Sequence, residues 1–408
     1  MEIKNKLNEK EIISFSICLF GFFPILPEKL KGLPVIILFV LSVLFYFRRA
    51  DKKIKFSKII KLSSLYLINL LSVFYSGNFH FPINKMETTL SLLIIPLTFG
   101  IIDKNIIIDK LKHNLFKCFI ISTSFMSLVS LQYYYSNKLF VKELFKVNSF
   151  RNLIIDAPFF GEHPIYVSMF LGISILLALV CLEGKSKTEK TLLIISCLIN
   201  IFHMLLLSSK GVFIAMMFSF ILLVFFNKKG IRGKFLLFIS ILGLFLASVL
   251  FFPNMERRFR EIGKKSTYTN LQVTNSSSIR IAIYECAFAK IKENPVFGYG
   301  WGLGDKELTT CYKEKSNHLF EKKYNSHNQY LGYYLDGGAI AFLGLIFFMY
   351  NRFKYSIINT EHFFSSFILL CSVLMLTENI LSRQSGVIIF IFFISFFSYY
   401  KANIKQVI

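Results

Sequence analysis

The sequence predicts an all-α integral membrane protein that crosses the bilayer about twelve times. Of its 408 residues, 54% are hydrophobic and 17% are charged, whereas soluble domains average about 25% charged residues. Its 47 Lys and Arg residues outnumber the 24 Asp and Glu residues, but they occur in small clusters between long uncharged runs. A nucleic-acid-binding surface would concentrate such charge on one face, so the sequence argues against a soluble enzyme and against a nucleic-acid partner.

The candidate spans are runs that carry almost no charge. About 20 apolar residues cross ~30 Å of hydrocarbon, and several runs are shorter than that, so their helices must include flanking residues or lie inside the bundle. The weakest candidates are 88–102 and 363–377, and the tenth run is interrupted by Asp336. The twelve runs cover residues 12–27, 32–47, 62–76, 88–102, 118–136, 164–182, 191–209, 211–227, 235–255, 329–350, 363–377 and 384–400.

The basic residues predict the orientation of these spans. If the N-terminus lies inside, the segments on the cytoplasmic side hold far more Lys and Arg than the short outside segments, and the positive-inside rule then places both termini in the cytoplasm. The long segment between Pro253 and Asn328 falls outside. We therefore predict three parts: spans one to nine in residues 1–252, an extracytoplasmic loop domain in 253–328, and spans ten to twelve in 329–408.

The long outside segment contains one predicted helix. Three serines at 276–278 precede apolar residues that recur at three- and four-residue spacing, and Asn294-Pro295 follows them. Serine is a preferred N-cap and proline ends a helical pattern, so a helix is expected between them. The apolar residues of this pattern are Ile279, Ile283, Cys286, Ala287 and Ile291.

Alternating glycines follow that helix in the sequence GYGWGLG, residues 298–304. No predicted strand precedes them, so they do not form a dinucleotide-binding fingerprint. The alternation indicates backbone that bends or approaches another segment closely. An ordinary loop is favoured over an anion-binding nest.

Two of the seven cysteines lie in the outside segment, and five lie within predicted spans. The five are interpreted as small apolar residues, because no pair has the spacing of a metal or redox motif. Cys286 and Cys311 can form a disulfide if the outer compartment is oxidising. Alternatively, Cys286 simply faces the apolar side of its helix.

Three residues on the outer side carry the chemistry that the sequence suggests. His327 precedes an apolar helix at the membrane boundary, Arg280 begins the outside helix, and Lys210 stands alone at an outside turn. Structural alternatives are a hydrogen-bonding His and a Lys that anchors the chain at the interface. Together, however, two cations can bind an anionic lipid diphosphate and stabilise its departing charge, while a neutral imidazole accepts a proton from an attacking hydroxyl.

At these positions the chain resembles the O-antigen ligase and O-antigen polymerase (Wzy-type) superfamily of bacterial membrane glycosyltransferases. The resemblance lies in SIRIAIYECAFAKIKENPVFGYGWG, which begins at Ser278, and HNQYLGYYLDGGAIAFLGL, which begins at His327. The family pattern is an Arg, a helix that ends in Asn-Pro and Gly-x-Gly, and then His-Asn-x-Tyr-Leu leading into a helix with an acidic residue and glycines. By this resemblance Arg280 contacts the diphosphate and His327 activates the acceptor hydroxyl.

The resemblance also implies the setting of the reaction. It implies a GT-C-like fold in the bacterial inner membrane, with one large periplasmic loop between helices nine and ten. The enzyme would be a glycosyltransferase independent of metal and of any cofactor. Its donor would be an undecaprenyl-diphosphate-linked glycan, and its acceptor a glycan or a lipid A core, in O-antigen, lipopolysaccharide or exopolysaccharide assembly. Membrane lipids would surround it.

Further candidates follow from the same comparison of motifs. Lys210 stands where the family commonly has Arg, and Asp336 stands where it often has Glu; both are expected to bind substrate, together with Asn328 and Tyr330. The list of possible site residues adds Glu378 and Arg383, which resemble an acidic and basic element before the family's last helix, and His163. A structural ion pair between Glu378 and Arg383, and a helix-capping role for His163, are the alternatives.

Several functions remain open at this stage. A polymerase and a ligase share these motifs and differ in their acceptor. A polysaccharide flippase or other secondary transporter also has about twelve spans, but such proteins usually show internal repeats, and no convincing repeat is found. A purely structural membrane protein would not need outside cations clustered with a histidine.

Overall fold

The chain forms a helical bundle, and no β-strand occurs among the residues described. The computed structural model describes residues 2–49, 54–76, 83–103, 105–142, 149–182, 186–226 and 276–400, together with positions 243, 256 and 260. Apart from those single positions, the predicted ninth span and the start of the predicted loop domain lie outside the described residues. The described helices are α1 (Glu2–Cys18), α2 (Leu33–Arg48), α3 (Phe56–Leu62), α4 (Ser64–Ser76), α5 (Ile83–Thr89), α6 (Ser91–Ile101), α7 (Asp109–Ser136), α8 (Leu139–Lys142), α9 (Ser149–Ile155), α10 (Pro164–Cys181), α11 (Lys187–Leu207), α12 (Lys210–Phe226), α13 (Ser276–Glu293), α14 (Gly304–Lys315), α15 (Asn317–Lys322), α16 (Gln329–Ile358), α17 (His362–Leu374) and α18 (Gln384–Tyr399).

Several of these helices are long and apolar enough to cross a membrane. Within the described ranges, five helical segments meet this requirement, and a sixth does so if α3 and α4, bent by 70°, form one span. α12, α17 and α18 are shorter apolar helices. The structure is therefore that of a polytopic membrane protein, while the number of twelve spans stays a prediction.

The first predicted span, 12–27, is not one α-helix. α1 ends at Cys18, and a 3-10 helix continues from Leu19 to Ile25 with Pro24 inside it. At Gly21 an added Cβ would lie 2.4 Å from the Cβ of Cys118 on α7. Because proline lacks the N–H that an α-helix requires, and because α7 approaches so closely, the chain changes its helical form here.

α18 lies at the centre of the bundle. Every residue from Ser385 to Tyr399 is buried, and Phe392 stacks on Phe20 with ring centroids 4.0 Å apart. In a bilayer, helices associate through van der Waals packing because lipid is as apolar as their side chains. An interior helix contacts protein along its whole length, which explains why a run of only 16 residues suffices here.

α16 is kinked at Gly337 and Gly338, where the backbone leaves helical geometry. The segment 295–303, which we call the glycine loop, supplies hydrogen bonds at this point. Tyr299 N–H donates to Leu335 O at 2.8 Å, Gly300 N–H donates to Asp336 O at 2.8 Å, and Ala339 N–H donates to Pro295 O at 3.0 Å. The loop thus satisfies backbone groups that the kink releases from the helix.

Close approach explains the glycines of this region. Gly338 has φ +63°, and an added Cβ would lie 2.0 Å from Val296 O; at Gly298, with φ +67°, it would lie 2.6 Å from Leu335 O. No side chain fits between the two backbones at these distances. The expectation of bent, closely packed backbone is therefore confirmed.

A second, smaller core lies around α13, α14 and α15 and includes Leu331 and Leu335 of α16. The predicted helix after the serines is confirmed as α13, and its apolar side, including Ile283 and Ala287, packs against Leu308. Cys286 and Cys311 form a disulfide with Cα atoms 5.8 Å apart. Cys286 also lies in the apolar core, so both of its proposed roles are met at once.

Candidate active site

One cavity collects most of the residues predicted to carry chemistry. Its volume is about 200 Å³, room for roughly six or seven water molecules. It lies where α10 and α16 begin and where α11 and α17 end, so segments distant in sequence meet there. The lining residues are Arg151, His163, Ile165, Ser209, Lys210, Gly211, Val212, Ile279, Arg280, Tyr324, His327, Leu374 and Glu378.

Glu378 joins the two main candidates of the sequence analysis. Its Oε1 accepts a hydrogen bond from Arg280 Nη2 at 2.5 Å, and its Oε2 lies 3.4 Å from His327 Nδ1. Burial would raise the pKa of the Glu378 carboxyl, but the hydrogen bond with His327 and the charge of Arg280 hold that pKa below its usual value. Glu378 is therefore ionised at neutral pH. It pairs with Arg280 and His327, whereas the alternative expected from the sequence was an ion pair with Arg383.

Glu378 contacts only part of the Arg280 guanidinium. The Nε of that guanidinium is buried and has no hydrogen-bond partner among the residues described. Buried donors are rarely left unpaired, because the lost hydrogen bond costs about 1–3 kcal/mol. The Arg280 side chain lines the cavity and brings a positive charge to it, as a site for an anion requires.

His327 is fixed by its backbone. Its φ of +44° lies in the left-handed region, which costs a non-glycine residue about 1–3 kcal/mol and is concentrated at functional sites. Asn325 Oδ1 accepts from His327 N–H at 3.1 Å, and Tyr284 Oη donates to His327 O at 3.3 Å. Since Nδ1 faces Glu378, Nε2 is the ring nitrogen that a substrate hydroxyl would meet.

Asn328 and Tyr330 stand next to the cavity. Asn328 is the N-cap of α16, because its Oδ1 accepts from Tyr330 N–H at 3.0 Å and from Leu331 N–H at 3.1 Å. The Tyr330 hydroxyl donates to Ser372 O at 3.0 Å. Both residues hold the start of the helix that follows His327, and their contact with substrate stays a prediction.

Lys210 is the first residue of α12 and is buried. Ser208, with φ +48°, ends α11 in the left-handed conformation, so the chain reverses within two residues and places Lys210 at the cavity. Its Nζ lies 3.4 Å from Ser277 Oγ on α13. A lysine that anchors the chain at the lipid interface would extend outward, whereas this one faces the protein interior.

His163 caps α10, as the structural alternative proposed. Its Nδ1 accepts from Ile165 N–H at 3.5 Å. Burial, together with the charges of Arg383 and Arg151, lowers the pKa of His163 to about 4. His163 is therefore neutral at pH 7, and it also lines the cavity. Arg383, the other possible site residue, is exposed and directly precedes α18.

Asp336 lies at the kink of α16. Its Oδ1 accepts from Gly304 N–H at 3.1 Å, so the carboxylate connects the first residue of α14, directly after the glycine loop, to α16. Lys85 on α5 pairs with Asp305 Oδ2 at 2.8 Å beside it. The expected role of Asp336 in binding substrate stays a prediction.

Among the lining residues that were not predicted from the sequence, Arg151 and Tyr324 have the side chains best suited to contact a ligand. The signal that identifies Arg151 is its place in a short helix before the span that His163 caps. No group of three or more His, Cys, Asp or Glu side chains in the described ranges is arranged to hold a metal ion.

The fold and the cavity define a polytopic membrane protein with a cationic, histidine-containing site at one end of its helical bundle. Residues 195–346 match the family model described as O-antigen ligase, which confirms the resemblance to the O-antigen ligase and polymerase superfamily. The matched region contains Lys210, Arg280 and His327. No curated protein matches the chain. The match supports an enzyme of glycosyltransferase type in surface polysaccharide assembly, with a lipid-linked glycan donor and a glycan acceptor.

Proposed function

We propose that the protein transfers a glycan from an undecaprenyl-diphosphate carrier to a sugar hydroxyl at the outer face of the bacterial inner membrane, as an O-antigen-type polymerase or ligase. One observation carries this proposal: a single cavity is lined by Arg280, by the buried Lys210 and by His327. Cations beside a histidine are the groups that such a transfer requires.

In this mechanism the cations bind the leaving group. Arg280 and Lys210 hold the diphosphate of the donor, and they stabilise the charge that grows on it as its bond to the anomeric carbon breaks. Guanidinium N–H groups form paired hydrogen bonds with phosphate oxygens, and the Nε–H of Arg280 is one such donor. These two cations would act without a metal ion.

His327 acts on the acceptor. Its Nε2 takes the proton of the acceptor hydroxyl while that oxygen attacks the anomeric carbon, so a new glycosidic bond forms and the lipid diphosphate leaves. The carboxylate of Glu378 faces Nδ1 at 3.4 Å and stabilises the imidazolium that results. Removal of the proton in this way contributes typically 10²–10⁴-fold to a rate.

The size of the cavity limits which part of the donor it encloses. About 200 Å³ is enough for a diphosphate and its nearest atoms, so the polyprenyl chain and the glycan must extend out of it. Tyr324 on the cavity wall offers an aromatic face to the first sugar. We place this end of the bundle outside, in a twelve-span GT-C-like fold with both termini in the cytoplasm, because this orientation puts most basic segments on the inner side.

Two experiments test the proposed function. The full-length protein in lipid nanodiscs, supplied with a lipid-linked oligosaccharide donor and an acceptor glycan, should release lipid diphosphate and form a longer glycan. Arg280→Ala and His327→Ala should lower the rate by about 10²-fold or more, whereas His362→Ala, which alters an exposed histidine at the start of α17 that lies away from the cavity, should not. Undiminished transfer by either site variant would contradict the assigned roles.

The second experiment separates the alternatives in cells. A deletion strain that accumulates glycans of a single repeat has lost a polymerase, and one that accumulates free lipid-linked polymer has lost a ligase. Accumulation of the lipid-linked repeat on the cytoplasmic face would instead identify a flippase.

A further inference from the structure

The C-terminal part of α13 and the glycine loop carry exposed apolar side chains that the mechanism above does not use. Among the described side chains of residues 277–328, the large apolar ones that are exposed are Phe288, Val296 and Phe297, at 55%, 51% and 52%. We propose that these three residues, which we call the apolar wedge, insert into the acyl chains of the outer leaflet beside α16. This inference goes beyond the proposed function and takes from it only the orientation of the bundle.

Exposed residues on the neighbouring helices have the opposite character. On α14 and α15 every exposed residue is polar or charged, and examples are Lys313, Glu314, Glu321 and Lys322. Charged side chains are costly to place in lipid, whereas contiguous exposed apolar surface marks an interaction site. The helices α13 to α15 therefore present one polar surface and one apolar surface, as a structure that lies on a membrane does.

The wedge continues into the exposed face of α16. Ala339 N–H donates to Pro295 O at 3.0 Å, and the backbone of Val296 lies against Gly338, so the glycine loop meets α16 immediately before Ile340. α16 is long and apolar enough to cross a membrane, so its exposed apolar side chains face lipid. The exposed residues that follow the kink, as far as position 350, are Ile340, Leu343, Ile346, Phe347 and Tyr350.

The length of α16 places the wedge at membrane depth. Its 30 residues extend over about 45 Å at 1.5 Å per residue, whereas the hydrocarbon core is ~30 Å thick. The positive-inside rule puts Arg352 at the cytoplasmic boundary. Gly338 precedes Arg352 by 14 residues, or about 21 Å, so the loop beside it lies about 9 Å inside the outer edge of the hydrocarbon.

The backbone of the glycine loop is compatible with this depth. Irregular backbone in the hydrocarbon region requires that its polar groups be satisfied within the protein. Tyr299 N–H and Gly300 N–H each donate to a carbonyl oxygen of α16 at 2.8 Å, and Asn294 Nδ2 donates to Gly298 O at 2.5 Å. The side chains of the loop can therefore meet lipid while these backbone groups stay paired.

The wedge also sets the height of the cavity relative to the bilayer. Phe288 lies about two turns of α13 after Arg280, so the lipid-inserted residues and the cavity-lining cation share one helix. By the same count along α16, Gln329 lies about 5 Å outside the hydrocarbon. The end of the bundle that contains the cavity is thus held at the level of the lipid head groups.

The test reports what surrounds each side chain. Phe288→Trp and Phe297→Trp are made separately in a Trp301→Phe chain, because Trp301 is the single tryptophan. The full-length protein is placed in nanodiscs of phospholipid whose acyl chains are brominated or unbrominated. Bromine quenches tryptophan emission at short range, so the emission of both variants should fall by more than half in brominated lipid, whereas aqueous iodide should quench it little.

Asn317→Trp in the same Trp301→Phe chain is the matched control. Asn317 is exposed on α15, so iodide should quench its emission and brominated lipid should not. If iodide quenches the wedge variants as it quenches this control, the wedge faces water and the proposal is overturned. If neither quencher acts on them, protein from this chain or from a second copy covers the wedge, and the proposal is overturned as well.

A second measurement needs no substitution. In nanodiscs, a photoactivated lipid with a diazirine in its acyl chain should label wild-type residues 288–297 and the exposed face of α16, but not residues 306–323. Labelling of α16 without the wedge would overturn the insertion, even where a tryptophan variant failed to fold. Neither measurement involves glycan transfer, so the wedge and the proposed function are tested independently.

Discussion

Replacing Glu378 with Gln removes the negative charge that contacts both Arg280 and His327. A hydrogen bond between charged groups contributes about 1.5–3 kcal/mol, and the contact with Arg280 measures 2.5 Å. The longer contact with His327, at 3.4 Å, strengthens when the ring becomes charged during transfer. Because the Glu378 side chain is only 12% exposed, solvent screens little of either interaction. The contact with Arg280 is present before and during transfer, so the loss in the transition state comes from His327 and is expected to be about 1.5–3 kcal/mol, which is a rate about 10–10²-fold lower.

The assay is the initial rate of glycan transfer by the purified variant in nanodiscs, with kcat and KM measured for donor and acceptor. The loss should appear mainly in kcat, since the charge on His327 develops only as the acceptor is deprotonated. Glu361→Gln is the matched control, because it removes a carboxylate that pairs with Lys112 at 3.4 Å away from the cavity. A rate for Glu378→Gln within about threefold of the wild type would refute the central position of this carboxylate.

Three further predictions concern the framework around the site. Lys31 and Glu162 form a fully buried ion pair, so Glu162→Gln should lower the free energy of unfolding by about 3–5 kcal/mol in denaturant. Adding Lys31→Met to that variant should recover part of the lost stability. An equal loss in the double variant would contradict the role of this pair. The disulfide of Cys286 and Cys311 closes a segment with a sequence separation of 25, so Cys311→Ser should lower the stability of this region by about 3–4 kcal/mol. The loss should be measurable as faster proteolysis of the region. Unchanged cleavage would be inconsistent with a stabilising disulfide. Gly338→Ala places a Cβ 2.0 Å from Val296 O and should lower the melting temperature and transfer rate together, whereas Gly243→Ala, where an added Cβ meets nothing within 4 Å, should alter neither.

Features set by local sequence could be predicted closely. The serines at 276–278 and the Asn-Pro at 294–295 predicted where α13 begins and ends, although the serines form its first turn, and the alternating glycines indicated the close approach to α16. The placement of Arg280 and His327 at one side of the membrane came from charge bias and from the family resemblance. In each case the information lies within a few neighbouring residues, or in a motif whose spacing is fixed.

Features set by packing between distant segments could not be predicted. Nothing in the local pattern shows that Glu378 pairs with Arg280, 98 residues earlier, or that Arg151 reaches the end of α11. The end of α1 at Cys18 depends on how closely α7 approaches Gly21. The buried pair of Lys31 and Glu162 joins residues 131 positions apart, and each of them alone resembles an ordinary loop charge.

The hydrogen bonds between the glycine loop and α16 have a consequence for how such an enzyme can diversify. Arg280 lies on α13, His327 lies two residues before α16, and the glycine loop that follows α13 is joined to α16 by main-chain hydrogen bonds. Backbone contacts thus help to hold the two segments that carry the guanidinium and the imidazole. Substitutions on the exposed surfaces of α14 and α15 leave these main-chain hydrogen bonds in place, so the outer surface of this region can vary in sequence while its connection to α16 is kept.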